Sequence, residues 1–148
     1  MSRRTRRAGP PEFTLTDTGP LVALVNANDP YHEQASSILS RLPKVPLVTT
    51  WPCLTEVMYL LFQAGGYSAQ DELWEWVADG LLRLHLPSED EWRRMRALMA
   101  QYRDAPMDLA DASVVVAAEV LSTSKVFTLD RHFHAYRLED GGAMEIAS

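Results

Sequence analysis

The sequence predicts an α/β domain in which a mainly parallel sheet is covered by helices on both faces. Short runs rich in β-branched residues alternate with longer segments of helical periodicity, and turn residues separate the two kinds of segment. A chain of 148 residues, 47% of them hydrophobic, suits one domain with a substantial core. We expect this domain to cover residues 13–148, after a disordered basic tail at 1–12 that lacks the apolar segment of a secretory signal.

The first quarter of the domain predicts one strand and two helices. Residues 13–16 have the composition of a short strand, and a Gly-Pro breaker pair follows shortly after it. The apolar run 21–25 predicts a short buried helix. A longer helix is predicted to begin at Asp29, a capping residue followed by Pro30 at the first helical position, and to end before Pro43.

The middle of the chain predicts two strands with helices between them. Residues 47–50 form the second predicted strand, and the Trp-Pro pair after it opens a helix that a Gly-Gly pair at 65–66 stops. Ser68 and Asp71 have the spacing of a capping box ahead of another amphipathic segment. The alternating run 81–86 predicts the third strand.

The last third of the chain predicts two helices and two strands. A Ser-x-x-Glu pattern beginning at Ser88 predicts a capping box and an amphipathic helix. Asp108 or a neighbour is predicted to cap an apolar helix over 109–121. Strands are then predicted at 126–129 and 144–146.

Four acidic residues stand where an apolar run ends or a helix begins: Asp17, Glu56, Asp111 and Asp130. In a parallel α/β sheet, ligands bind beyond the carboxyl ends of the strands, so these four side chains are expected to converge on one edge. Carboxylates gathered there repel one another unless a cation compensates their charge. The pattern predicts a divalent metal site and, with it, phosphate chemistry.

The same acids have a purely structural interpretation, which the residues alone leave open. Asp108 and Asp111 are placed to cap a helix and oppose its dipole, and Asp130 is placed like an ordinary turn residue. Glu56 fits this interpretation less well, because it interrupts an apolar helical segment where an unpaired charge is costly if buried.

Charge and composition limit the classes of function. Residues 1–13 hold four arginines and one glutamate, so removing their +3 from the net charge of −6 leaves −9 for residues 14–148. Such a surface attracts nucleic acid only where metal ions or local basic groups reverse the field. The single cysteine, Cys53, fits a reducing cytoplasm and leaves no thiolate cluster for zinc. No apolar run approaches the ~20 residues that span a bilayer.

Competing chemistries match the sequence poorly. A metal-free histidine mechanism would want two converging histidines and a lysine, yet the only lysines are Lys44 and Lys125, both in loop-like settings. A phosphatase or phosphoacceptor domain would want a second acid close to Asp17, where the chain has Asp-Thr-Gly.

Four segments, in order, resemble the successive motifs of PIN-domain ribonucleases, in particular the VapC-type toxins of toxin–antitoxin pairs. They are Leu15-Thr-Asp-Thr-Gly-Pro-Leu-Val-Ala-Leu24 with a following His32, Leu54-Thr-Glu-Val57, Pro106-Met-Asp-Leu-Ala-Asp-Ala-Ser113 and Phe127-Thr-Leu-Asp-Arg-His-Phe133. Each motif alone is weak, but four in order over so short a chain make a specific pattern. The resemblance runs from about Phe13 to the C-terminus.

The resemblance implies a three-layer α/β/α sandwich with Mg²⁺ or Mn²⁺ in an acidic pocket. The residues that match the motif acids are Asp17, Glu56, Asp111 and Asp130, with Asp108 as an additional ligand held through water and Thr18 and Thr128 as supporting hydroxyls. The implied activity is hydrolysis of RNA by water, leaving a 5'-phosphate and a 3'-hydroxyl. The implied setting is a cytoplasmic homodimer that a cognate antitoxin neutralises. A non-catalytic PIN-like binding or scaffolding protein is the alternative, and a metal-dependent phosphatase is a weaker one.

Overall fold

The computed structural model describes residues 11–148 and contains a five-stranded sheet in which all paired strands are parallel. The strands are β1 (Thr14–Thr16), β2 (Leu47–Thr50), β3 (Leu82–His85), β4 (Lys125–Phe127) and β5 (Glu145–Ile146). Their order across the sheet is β3-β2-β1-β4-β5. The predicted parallel sheet is confirmed, and each predicted strand lies within two residues of its observed ends.

Within residues 11–148, five α-helices and one short 3-10 helix surround the sheet. They are α1 (Thr18–Val25), α2 (His32–Arg41), α3 (Trp51–Ala78), α4 (Glu89–Gln101), α5 (Leu109–Val120) and the 3-10 helix Arg131–His134. Among the helices of residues 11–148, none combines the length and the apolarity needed to cross a membrane. The prediction of a disordered tail falls on residues that, apart from Pro11 and Glu12, lie outside the described range.

Two hydrophobic clusters lie on opposite faces of the sheet and make the three layers. One cluster contains α5 together with residues of α4, and the other contains residues of α1, α2 and α3. Val126 and Phe127 are neighbours in β4 and enter different clusters, because successive side chains of a strand point to opposite faces. The α/β/α sandwich predicted from the sequence is therefore confirmed.

Three predictions about helix boundaries have different outcomes, each for a local reason. The predicted start of α2 at Asp29 is wrong, because the Asp29 side chain accepts a hydrogen bond from the Tyr31 backbone N–H in a turn and the helix begins at His32. The predicted break at 65–66 is confirmed as a kink inside α3, where Gly66 has φ 67°. The predicted capping role of Ser68 is wrong, since its hydroxyl donates to the Gly65 carbonyl instead.

The topology brings one end of each of several elements to the same edge. Asp17 follows β1 directly, and its backbone N–H donates to the Phe127 carbonyl at the end of β4. Glu56 lies in the second turn of α3, which begins immediately after β2. Asp111 lies in the first turn of α5, and Asp130 precedes the 3-10 helix after β4.

Candidate functional site

A pocket of about 580 Å³ lies at this edge, and the predicted acids all line it. The acidic residues around it are Asp17, Asp29, Glu56, Asp108, Asp111 and Asp130. They come from the ends of strands, the starts of helices and one turn, so only the tertiary fold brings them together. A slightly larger cavity of about 640 Å³ lies beside the C-terminal end of α5, but it gathers none of the predicted site residues.

Asp17 is the most enclosed acid of the pocket. It is 6% exposed and precedes α1 without capping it through its side chain. The Thr128 hydroxyl donates to its Oδ2 over 2.8 Å, and the Cys53 thiol donates to its Oδ1 over 3.7 Å. Burial raises the pKa of Asp17, these donors oppose the rise, and the negative charge of Asp130 adds to it.

Asp108 and Asp111 form a capping box at the start of α5. The Asp108 Oδ1 accepts from the Asp111 backbone N–H over 2.9 Å, and the Asp111 Oδ2 accepts from the Asp108 backbone N–H over 3.1 Å. Both residues therefore cap α5, as the structural interpretation of the sequence predicts. Among the described residues, no hydrogen bond reaches the other oxygen of Asp111, so capping occupies only half of this carboxylate.

The carboxylates of the pocket act on one another through their charges. Burial, followed by the charges of Asp108, Asp17 and Asp130, raises the pKa of Asp111 to about 7, against the backbone hydrogen bond from Asp108. Burial, followed by the charges of Asp108 and Asp17, raises the pKa of the half-buried Glu56. These mutual effects mark one shared electrostatic site, and perturbed acids in a cleft are a recognised sign of function.

Asp130 is ordered by its own loop. Its Oδ1 accepts from the His132 backbone N–H over 2.9 Å and lies 2.7 Å from the His132 Nδ1. The Thr128 hydroxyl accepts from the Asp130 backbone N–H over 3.0 Å while it donates to Asp17. Thr128 therefore connects two of the predicted acids, the supporting position expected for it from the sequence.

The residues of the pocket fit a hydrated divalent cation. The donors are carboxylate oxygens, which Mg²⁺ and Mn²⁺ prefer. The buried Thr18 hydroxyl has no hydrogen-bond partner within residues 11–148, and a water molecule or hydrated ion would satisfy it. In the same part of the chain, no three His, Cys, Asp or Glu side chains form a ready-made cluster. This spacing suits Mg²⁺, which usually keeps several waters and takes one or two carboxylates directly.

Two buried side chains that contact the acids were not predicted from the sequence. Cys53 contacts Asp17, and the Tyr136 hydroxyl donates to the Pro106 carbonyl over 3.2 Å and to Asp111 Oδ2 at 3.5 Å. Burial and then the charge of Asp111 raise the pKa of Tyr136, so its hydroxyl stays a neutral donor. Apolar spacing marks such residues as core, and nothing in the local sequence marks them as neighbours of a distant carboxylate.

The sequence is similar over most of its length to that of a known ribonuclease. No protein-family model matches it. It is 28% identical over 133 residues to Ribonuclease VapC26 of Mycobacterium tuberculosis, and the alignment covers 89% of this chain and 98% of that protein. The similarity therefore extends over nearly the whole relative.

Solved structures with the same fold come from three bacteria. VapC20 of Mycobacterium tuberculosis, described as a sarcin-ricin loop cleaving toxin, has a TM-score of 0.75 at 19% identity and covers 82% of this chain and 93% of its own. A toxin–antitoxin complex from Klebsiella pneumoniae has a TM-score of 0.57 at 19% identity, with 79% and 86% covered. FitAcB from Neisseria gonorrhoeae has a TM-score of 0.52 at 16% identity, with 79% and 87% covered. The resemblance predicted from the four motifs is confirmed: the chain has the PIN-like fold and is similar to the VapC-type ribonucleases.

Proposed function

We propose that the protein is a metal-dependent endoribonuclease that hydrolyses RNA phosphodiester bonds in the acidic pocket and serves as the toxin of a toxin–antitoxin pair. The observation that carries this proposal is the convergence of acids from separate elements on one pocket. Three of them, Asp17, Glu56 and Asp111, have raised pKa values, caused first by burial and then partly by the negative charge of other acids of the pocket. Similarity to a ribonuclease and to toxin structures supports it.

The proposal gives each acid a role toward Mg²⁺ or Mn²⁺. Asp17 and Asp111 hold the ion, because they are the most buried acids of the pocket. Glu56 and Asp130 orient water or a further ion, and the exposed Asp108 acts through water. When bound, the ion supplies positive charge that neutralises the phosphate and favours ionisation of a nearby water.

The chain's own residues then direct the reaction. The Thr128 hydroxyl and the helix starts fix the carboxylates before substrate arrives, which reduces the reorganisation needed at the transition state. Glu56 is half-buried at the pocket and is placed to orient a water for in-line attack on the phosphorus. In-line attack by water forms a new phosphorus–oxygen bond while the bond from phosphorus to the 3'-oxygen breaks and that oxygen takes up a proton. The products then carry a 5'-phosphate and a 3'-hydroxyl, and no cyclic phosphate forms because the ribose 2'-hydroxyl takes no part.

Partners follow from the same proposal. RNA must approach a domain of net charge −9, so bound metal and local arginines such as Arg131 beside the pocket reverse the field. Homodimerisation and a neutralising antitoxin belong to the proposal, and the exposed Tyr59, Phe62 and Tyr67 of α3 offer an apolar surface that a partner would cover. We place the activity in the cytoplasm, where RNA is present and thiols stay reduced.

Cleavage of an end-labelled RNA oligonucleotide tests the reaction. We expect cleavage in Mg²⁺ or Mn²⁺, none in excess EDTA, and 5'-phosphate ends on the products. The metal should also raise the melting temperature, because a ligand that binds only the folded state at 100 times its dissociation constant stabilises it by about 2.7 kcal/mol. Unchanged cleavage in EDTA, or cyclic-phosphate ends, would contradict the metal-dependent mechanism.

Expression in bacteria tests the biological role. Induction of the wild-type chain should arrest growth, and induction of Asp17→Asn at the same protein level should not. Co-expression of a small protein encoded beside this gene should relieve the arrest. An active nuclease without any effect on growth would retain the enzymatic assignment and remove the toxin role.

A further inference from the structure

The Asp17 carboxylate is held from two sides by residues distant in sequence. Thr128 donates to Oδ2 over 2.8 Å, and Cys53 contributes the contact to Oδ1 over 3.7 Å, within the range for a sulfur donor. Asp17 makes no side-chain cap to its own helix, so Thr128 and Cys53 are the side chains that hold its carboxylate, together with the backbone of Thr18. One of the two donors is a thiol, which forms weaker hydrogen bonds than a hydroxyl.

The Cys53 side chain is fixed in the core, in contact with Asp17. It is 0% exposed, and its backbone N–H donates to the Thr50 hydroxyl that caps α3 over 3.3 Å. The carbonyl of Ala110, next to Asp111, lies 3.8 Å from the sulfur as a second acceptor. The thiol therefore contacts the carboxylate of Asp17 and the backbone next to Asp111, the two acids to which the proposed function assigns the metal.

The thiol is present as S–H. A cysteine thiol ordinarily keeps its proton at neutral pH, and full burial beside the Asp17 carboxylate favours the neutral form further. An S–H group donates a hydrogen bond to a carboxylate, whereas a thiolate at this distance would repel it. Cys53 is accordingly placed as a hydrogen-bond donor to Asp17.

We propose that Cys53 is a positioning residue of the metal site: its S–H holds Oδ1 of Asp17 so that the carboxylate faces the ion. This inference rests on the proposed function, because it requires that Asp17 binds a divalent cation. Residues that orient a ligand commonly contribute about 10- to 100-fold to metal affinity. Simple packing in the core is the competing explanation, since Cys53 also belongs to the hydrophobic cluster that contains α5.

Three substitutions separate the donor from the packing role. Cys53→Ser keeps a donor, Cys53→Ala removes the donor and leaves a small cavity, and Cys53→Val removes the donor while filling the space. The probe is Mn²⁺ alone, with the free ion measured by electron paramagnetic resonance. We expect Cys53→Ala and Cys53→Val to weaken Mn²⁺ binding by about tenfold, and Cys53→Ser to restore it to within about threefold of wild type.

The outcomes that overturn the inference are distinct. Wild-type affinity in folded Cys53→Ala and Cys53→Val would leave only a packing role. A loss in Cys53→Ser equal to that in Cys53→Ala would also exclude the donor role. Absence of Mn²⁺ binding by the wild-type protein would overturn the proposed metal dependence together with this inference, whereas the first two results leave metal dependence intact.

An infrared measurement needs no substitution at Cys53. The chain has one cysteine, so the spectrum contains a single S–H stretching band. If the thiol donates to Asp17, Asp17→Asn should move this band to higher frequency, because an amide oxygen is a weaker acceptor than a carboxylate. A band that does not move would show that the thiol donates elsewhere, for example to the Ala110 carbonyl, and would overturn the inference.

Discussion

Helices α4 and α5 both begin with a capping box, and the acidic side chain of each box is buried to the same degree. Glu91 of α4 is 8% exposed and Asp111 of α5 is 7% exposed. In each box the capping side chain accepts from the backbone N–H three residues on, and the acid accepts from the backbone N–H of the capping residue. Capping geometry and exposed surface therefore do not distinguish the two carboxylates, although Asp111 has more protein around it.

Their electrostatic surroundings differ in sign. Burial alone would raise the pKa of Glu91, but hydrogen bonds from His85 and from Ser88 outweigh it and lower the pKa. Burial raises the pKa of Asp111 most, and the negative charges of the neighbouring acids add to this effect, so that its pKa is about 7. A carboxylate that accepts hydrogen bonds from its neighbours stabilises the fold, whereas a carboxylate among like charges would be stabilised by a bound cation. The difference separates a structural acid from a candidate metal ligand.

The largest expected effect comes from exchanging each acid for its amide. Asp111→Asn should lower kcat/KM by about 100-fold or more, since the amide keeps the shape and removes the charge that holds the ion. Glu91→Gln should keep the specific activity within about twofold but lower the free energy of unfolding by about 1 to 3 kcal/mol, because it weakens buried charge-assisted hydrogen bonds. Cleavage rates per folded molecule and urea titrations measure the two effects.

The opposite pattern would remove the distinction. If Asp111→Asn destabilises the protein while its specific activity per folded molecule is retained, Asp111 only caps α5 and the proposed site is wrong. If Glu91→Gln loses as much specific activity as Asp111→Asn, the assignment of Glu91 as a purely structural acid is wrong. Circular dichroism of both variants provides the folded fraction that this normalisation needs.

The capping boxes also show which features of the structure can be predicted from the sequence alone. The Ser-x-x-Glu spacing predicted the start of α4, and Asp108 was predicted to cap the helix that follows it. Such signals are local, so a few neighbouring residues are enough to predict them. The convergence of Asp17, Glu56, Asp111 and Asp130 was predicted from the rule for parallel sheets, and the structure brings them to one pocket. Their assignment as metal ligands stays a prediction.

Contacts between distant residues were beyond the sequence. Cys53 and Asp17 are 36 residues apart, and Tyr136 and Asp111 are 25 apart, so their hydrogen bonds depend on how the layers pack. The start of α2 was misplaced because Asp29 forms a turn with Tyr31, an alternative local hydrogen bond that competes with helix capping. Predictions therefore failed where tertiary packing or a competing short-range bond decided the outcome.

In metal-free protein, the contributions of Asp111 and Glu91 to the free energy of unfolding should depend on pH in opposite directions. Asp111 has a folded-state pKa of about 7 against an ordinary value of 3.8, so the folded state binds more protons between these values and stability from this group falls as pH rises from about 4 to 7. Glu91 has a lowered pKa, so its contribution is present above its ordinary value of 4.5 and is lost as pH falls through its folded-state pKa.

Urea titrations in EDTA across pH 3 to 8 measure both slopes. A shift of one pKa unit corresponds to about 1.4 kcal/mol, which such titrations resolve. Asp111→Asn should flatten the decline between pH 4 and 7, and Glu91→Gln should flatten the loss below pH 4.5. Equal slopes in the wild type and in Asp111→Asn would show that the pKa of Asp111 is not raised in the folded state.

The smallest expected effect concerns the capping residues themselves. Asn caps helices as well as Asp or Ser, so Asp108→Asn keeps the hydrogen bond to the Asp111 N–H and removes only a charge. That charge raises the pKa values of Glu56 and Asp111, so its removal should stabilise the metal-free protein by a few tenths of a kcal/mol, a small gain because Asp108 is exposed. Because its proposed role runs through water, cleavage should fall only a few-fold.

Ser88→Asn is the matched control and should change neither cleavage nor Mn²⁺ affinity. A loss of activity in Asp108→Asn as large as that in Asp111→Asn would make Asp108 a direct ligand, and no loss at all would confine it to capping α5.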